Sequence, residues 1–181
     1  MADDGAQVEL NGVDLETLTE LMAEVDRDSD RLDELSDYSR SCRVRWLNSF
    51  HSQAFTRDVP PNEMDEPEWL GGTNQGMAAS EAVLGAIGGC IATGFAANAS
   101  VRDVEINELE VDVEGEINLP SFFGLSGESP GYESVDVTIY ADCDADDDLL
   151  EEIAFRAVDL SPVVNTVREP VDVDYEVKDT G

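Results

Sequence analysis

The chain has 181 residues, enough for one well-packed domain but cramped for two. Its 10 basic and 42 acidic residues give a formal net charge of -32, and lysine occurs once, at Lys178. That balance excludes nucleic acid as an expected partner, because phosphate binding needs clustered cations, while 41% hydrophobic residues are too many for an acidic disordered chain.

The first pattern is helical. Leu15, Leu18, Leu21, Met22 and Val25, then Leu32 and Leu35, recur at helical spacing between residues 12 and 36. Asp14 is placed to cap the start, and Asp26 to Asp30 should interrupt the run. Residues 1–40 therefore read as a helical extension and 41–181 as the main domain. Arg43-Val44-Arg45-Trp46-Leu47 and Ser52 to Arg57 read as a hairpin with its turn near Asn48-Ser49. Pro60, Pro61 and Pro67 mark a loop that reaches Trp69 and the Gly71-Gly72 turn.

From about Gln75 to Ala99 the chain is rich in alanine, free of proline and apolar nearly all round, so a buried helix is expected. A membrane span of this length is the alternative. Glu81, Asn98, the glycines and the acidic sequence that follows argue against it. Gly85 and Gly88-Gly89 would let another backbone approach closely. Two alternating strands follow, one through Val104, Ile106, Leu109, Val111, Val113 and Ile117, the other through Val135, Val137 and Ile139. Each has one apolar face and one carboxylate-rich face. The loop between them carries Pro120-Ser121-Phe122-Phe123-Gly124-Leu125. Asp146 to Asp148 open an amphipathic helix with Leu149, Leu150, Ile153, Ala154, Ala157 and Val158 on its apolar face. Ser161 and Pro162 read as cap and first residue of a short helix, and Val171, Val173, Tyr175 and Val177 as a last alternating strand. The sum is an α+β fold with a mostly antiparallel sheet.

The three cysteines, Cys42, Cys90 and Cys143, are odd in number and lack metal-ligand spacing, and His51 is the sole histidine. No metal or other cofactor is expected. Met1-Ala2-Asp3-Asp4 is acidic where a secretory signal opens with basic residues, so a reducing, cytoplasmic setting is expected. An acidic surface almost free of lysine fits a cytoplasm near molar salt, where the Debye length falls to about 3 Å and carboxylates hardly feel one another.

Gly71-Gly72-Thr73-Asn74, the run Glu81 through Cys90, and Ser161-Pro162-Val163-Val164-Asn165-Thr166-Val167 stand in the same order as the motifs of one family. From about Arg43 to Val177 the chain resembles the OsmC/Ohr family of thiol-dependent hydroperoxide reductases and their relatives. The resemblance implies an intertwined homodimer in which long central helices pack together and the active sites lie at the subunit interface. It also implies a central-helix thiolate that attacks a peroxide and becomes a sulfenic acid. A second cysteine, in a Cys-Pro-Val motif, then forms a disulfide with it, while an arginine and a glutamate ionise and orient the first thiol. Cys90 occupies the first cysteine's position, and Ser161 stands where the second would be.

Each candidate has two readings. Cys90 is either a small buried hydrophobe or a nucleophile, and as a mid-helix residue it needs a cation from elsewhere to become a thiolate. Ser161 either caps its helix or polarises Cys90, and a serine cannot form the disulfide. Glu81, nine residues before Cys90, falls on the opposite helix face, so it serves its own helix terminus or a partner subunit. Arg57 and Arg45 lie on the strands from which the family arginine comes, though neither aligns cleanly. His51, Cys42 and Cys143 fall outside the motifs. Two functions follow from the resemblance. In one, Cys90 alone reduces an organic hydroperoxide and an external small thiol regenerates it. In the other, the fold is non-catalytic and binds an apolar small molecule at the dimer interface.

Overall fold

A computed structural model describes residues 9–180. A short hairpin, β1 (Glu9–Leu10) and β2 (Val13–Asp14), turns at Asn11-Gly12, whose φ angles of 55° and 74° are the positive pair that a tight hairpin turn needs. Asp14 then caps α1 (Leu15–Arg27), its carboxylate accepting from the Thr17 amide at 2.9 Å. The expected interruption is a change of helix. Asp28 ends α1 and caps α2 (Ser29–Ser36), accepting from the Asp30 and Arg31 amides. Neither helix buries a residue fully.

The predicted hairpin forms as β3 (Arg43–Asn48) and β4 (His51–Phe55), with Ser49 at φ 47° in the turn. Trp46 pairs with Ser52 and Asn48 with His51, so Leu47 is an extra residue that bulges β3. A third strand, β5 (Asn62–Met64), joins on the far side of β4, giving the order β3-β4-β5. A single helical turn at Glu68–Leu70 and Gly71 at φ 93° complete the proline loop.

The central helix, α3 (Ala79–Ser100), starts later than the expected Gln75 because residues 73–75 are held in a loop described below. Its buried stripe, Ile87, Ile91, Phe95 and Ala99, repeats every fourth residue and packs against β6 (Ile106–Ile117), α5 (Asp147–Asp159) and α6 (Pro162–Arg168). β6 pairs antiparallel with β7 (Tyr132–Cys143), and α4 (Leu119–Phe122) sits in the loop between them. Ile106 and Leu109 both face the core although they are three residues apart. Ile106 opposes Cys143 and Glu108 opposes Asp142, so Asn107 is an extra residue that flips the alternation. Asp146 caps α5 through the Leu149 amide at 2.9 Å. Ile91, Phe95 and Ile153 are the largest fully buried side chains, each worth about 1.5–3 kcal/mol in apolar area removed from water.

The final expected strand does not form. Residues 169–180 have no regular structure, and Val173 and Tyr175 are 86% and 90% exposed. Alternation prescribes two faces, but a strand also needs an edge to hydrogen-bond, and within the chain this segment joins none of the sheets. The architecture is α+β, with antiparallel sheets and six helices among the described residues.

Candidate functional site

The helix α3 is apolar nearly all round, yet only one side of it is covered. On the covered side the approach is close. A Cβ on Gly88 would lie 3.2 Å from Val113 Cγ2, and one on Gly94 would lie 3.3 Å from the Ala157 backbone. On the other side, a Cβ on Gly85 or Gly89 would meet nothing within 4 Å. So Gly88 does admit a neighbouring strand, whereas Gly85 and Gly89 face open space in this chain. By length and hydropathy α3 could cross a membrane; its covered side instead packs into the core with β6, α5 and α6. Cys90 is half-buried at the border between the covered and open sides.

The predicted partners of Cys90 are occupied elsewhere. Ser161 is buried, and its hydroxyl accepts from the Val164 amide at 3.2 Å, which makes it the N-cap of α6. Glu81 accepts from the Ala78 amide at 2.7 Å and so caps the start of α3, half a turn of the helix wheel away from Cys90. Arg57 lies at φ 44° in the turn after β4. Within the single chain, none of the three donates to or accepts from the Cys90 Sγ. Arg43 and Arg45 lean over the Phe55 ring, with guanidinium carbons 5.2 and 5.6 Å from its centroid. His51 is engaged with Glu63 (Nε2 to Oε2, 2.6 Å), and Gln53 donates to the other carboxylate oxygen at 2.8 Å. Gln53 and then His51 hold the Glu63 carboxyl below its ordinary value. Cys42 is exposed, Cys143 packs beside the core, and both thiols are free. Among the described residues no three His, Cys, Asp or Glu side chains gather as metal ligands.

One structural residue, at the entry to α3, carries no signal in the sequence. Asp65 is 2% exposed, and its carboxylate accepts from the Thr73 hydroxyl at 2.6 Å and from the amides of Glu66, Thr73 and Gln75. The Thr73 hydroxyl does most to hold this carboxyl below its ordinary value, and burial opposes it. Asp65 thereby staples residues 73–75 to the end of β5 just before α3 begins. Gly72 belongs to the same device: a Cβ there would lie 1.8 Å from the Glu66 carbonyl oxygen. No motif announces Asp65, because all its donors but the adjacent Glu66 amide come from residues eight and ten positions along the chain.

The OsmC-like protein family model matches residues 72–176, more than half of the chain. Among solved structures, the chain is similar to an OsmC-like protein from Mycoplasma pneumoniae at 15% identity and a TM-score of 0.62, covering 73% of this chain and 89% of that one. It is similar to an OsmC-like protein of unknown function from Vibrio cholerae at 11% identity and a TM-score of 0.55, covering 71% and 93%. An organic hydroperoxide resistance protein OsmC from Legionella pneumophila matches at 14% identity and a TM-score of 0.53, covering 73% and 90%. At these identities the likeness concerns the fold. No curated protein sequence matches the chain. With Gly72-Thr73-Asn74, the cysteine helix and the Ser-Pro-Val turn all inside the matched span, the chain belongs to the OsmC-like family.

Proposed function

We propose that the protein is a one-cysteine organic hydroperoxide reductase that works as a homodimer. The observation that carries this reading is Cys90, retained on a helix whose open, glycine-bearing side suits the close approach of a second copy. Residues 169–180, which join no sheet, and the exposed β3 edge leave further backbone groups for a partner chain. Arg57 of that partner, in the turn after β4, would supply the cation that Cys90 lacks in its own chain. The Cys90 thiolate attacks the distal peroxide oxygen, the O–O bond breaks, and the leaving alkoxide takes a proton to become the alcohol. The sulfur is left as a sulfenic acid. One external thiol then displaces water to give a mixed disulfide, and a second thiol releases Cys90 as the two external sulfurs join.

Ser161 is why the reductant must be external, since no thiol stands at that position to close a disulfide. The experiment is to treat the folded protein with cumene hydroperoxide and a sulfenic-acid trap and map the adduct by mass spectrometry. The expected result is label at Cys90 and thiol-dependent peroxide loss that Cys90→Ser abolishes. Absence of both overturns the enzymatic reading. A second reading draws on the lack of any polar partner at Cys90 and on the exposure of Phe122, Phe123 and Leu125. In it the interface binds an apolar molecule without chemistry, and saturable binding of an apolar fluorophore without peroxide consumption would establish it.

A further inference from the structure

Charge is distributed unevenly along the first third of the chain. Residues 14–37 hold ten carboxylates and two arginines, whereas residues 38–57 hold four arginines and no carboxylate. Among the described residues no ion pair includes Arg40, Arg43, Arg45 or Arg57, although the chain has 42 acidic residues. Arg43 and Arg45 lie on one face of β3–β4 with the Phe55 ring between them. Glu63, on the next strand, is already held by His51 and Gln53. Every residue of β3 is exposed.

The acidic segment is the complementary surface. Its leading hairpin is fastened to the end of α3: Asn11 Nδ2 donates to Ser100 Oγ at 3.0 Å and to the Val104 carbonyl at 2.9 Å, and Asn11 Oδ1 accepts from the Ile106 amide at 2.9 Å. Fastened there, α1 makes its main contacts with α2, β1 and β2 rather than with its own β3–β5 sheet. Glu20 and Glu24 are one turn apart on α1, with Leu21, part-exposed, beside them. Residues four apart on a helix stand about 6 Å apart, which matches the roughly 6.6 Å between alternate strand residues such as Arg43 and Arg45.

We propose that α1 of one copy covers the Arg43–Phe55–Arg45 face of a second copy, with Glu20 and Glu24 on the arginines and Leu21 on the ring. Packing of α1 against another α1 would oppose like charges, and nucleic acid would meet the repulsion of the whole acidic chain. The contact rests on the two-copy reading above but uses neither the open side of α3 nor Cys90.

The test places a thiol on α1 with Leu21→Cys and uses Cys42, already exposed beside β3. A short bis-maleimide added to the folded full-length protein should give a covalent two-chain product joined between residues 21 and 42, identified by peptide mass spectrometry. Cys42→Ser should remove it. Arg43→Glu with Arg45→Glu should lower its yield at least about fivefold, the size expected for two exposed ion pairs, and adding Glu20→Arg with Glu24→Arg should restore it. A link found only within one chain, or a yield indifferent to charge reversal, overturns the proposal. Light scattering separates the failures: a dimer without the 21–42 link removes this contact alone, whereas a monomer removes the two-copy reading as well.

Discussion

At the scale of single residues, Asp65 and Ser161 are committed to local structure. The Asp65 carboxyl is held below its ordinary value of 3.8, first by the Thr73 hydroxyl, and it organises the entry to α3. A carboxyl lowered by folding stabilises the native state fully above its unfolded value, and that contribution is lost as pH falls through the lowered native value. Asp65→Asn should therefore lower Tm at pH 7, and the difference from the parent should shrink as pH drops below 3.8. Thermal unfolding across a pH series checks this, and a difference constant with pH refutes it. Ser161 is likewise spent on the Val164 amide. Ser161→Ala should cost about 1 kcal/mol of stability through the lost cap and leave peroxide turnover per folded molecule unchanged. A fall in that turnover would mean that the hydroxyl acts on Cys90 after all. The sequence made Ser161 readable as a cap because cap and amide are three residues apart. Asp65 was unreadable because its partners are not.

At the scale of elements, Asn11 is the fastening that matters most. It makes three hydrogen bonds to residues about ninety positions away, at the junction of α3 and β6. Asn11→Ala should cost about 1–3 kcal/mol, the range for leaving half-buried polar groups unpaired. Hydrogen exchange should show the β1–β2 hairpin losing protection while α3 and α5 keep theirs; unchanged protection in the hairpin would argue against the fastening. Asn-Gly between short apolar residues is a strong hairpin signal, so the β1–β2 turn could have been anticipated. The destination of its side chain could not. The shift from Ile106 to Leu109 in β6 was visible as a change of parity, and pairing with β7 turned it into a bulge at Asn107. β5 has three residues and no alternation to read, so only its hydrogen bonds to β4 identify it.

At the scale of the whole molecule, the charge of -32 dominates. The Debye length shortens from about 10 Å at 0.1 M salt to about 3 Å at 1 M, so self-repulsion should fade over that range. Tm should rise steadily with sodium chloride up to 1 M, and a flat or falling curve by calorimetry would show that repulsion is not what limits stability. By itself the sequence determined the order of most elements, the caps at Asp14 and Ser161, the acidic start and core stripe of α5, and the acidic composition. These depend on neighbours within a turn of helix or a strand pair, and such neighbours are written next to one another. Tertiary structure alone decided which side of α3 is covered, because a helix apolar all round carries no directional pattern. It also decided that Glu81 turns to its own helix terminus and that residues 169–180 join no sheet within the chain, since joining one depends on where the folded elements leave an edge within reach. The same reason leaves Cys90 on a border between the covered and the open side of α3.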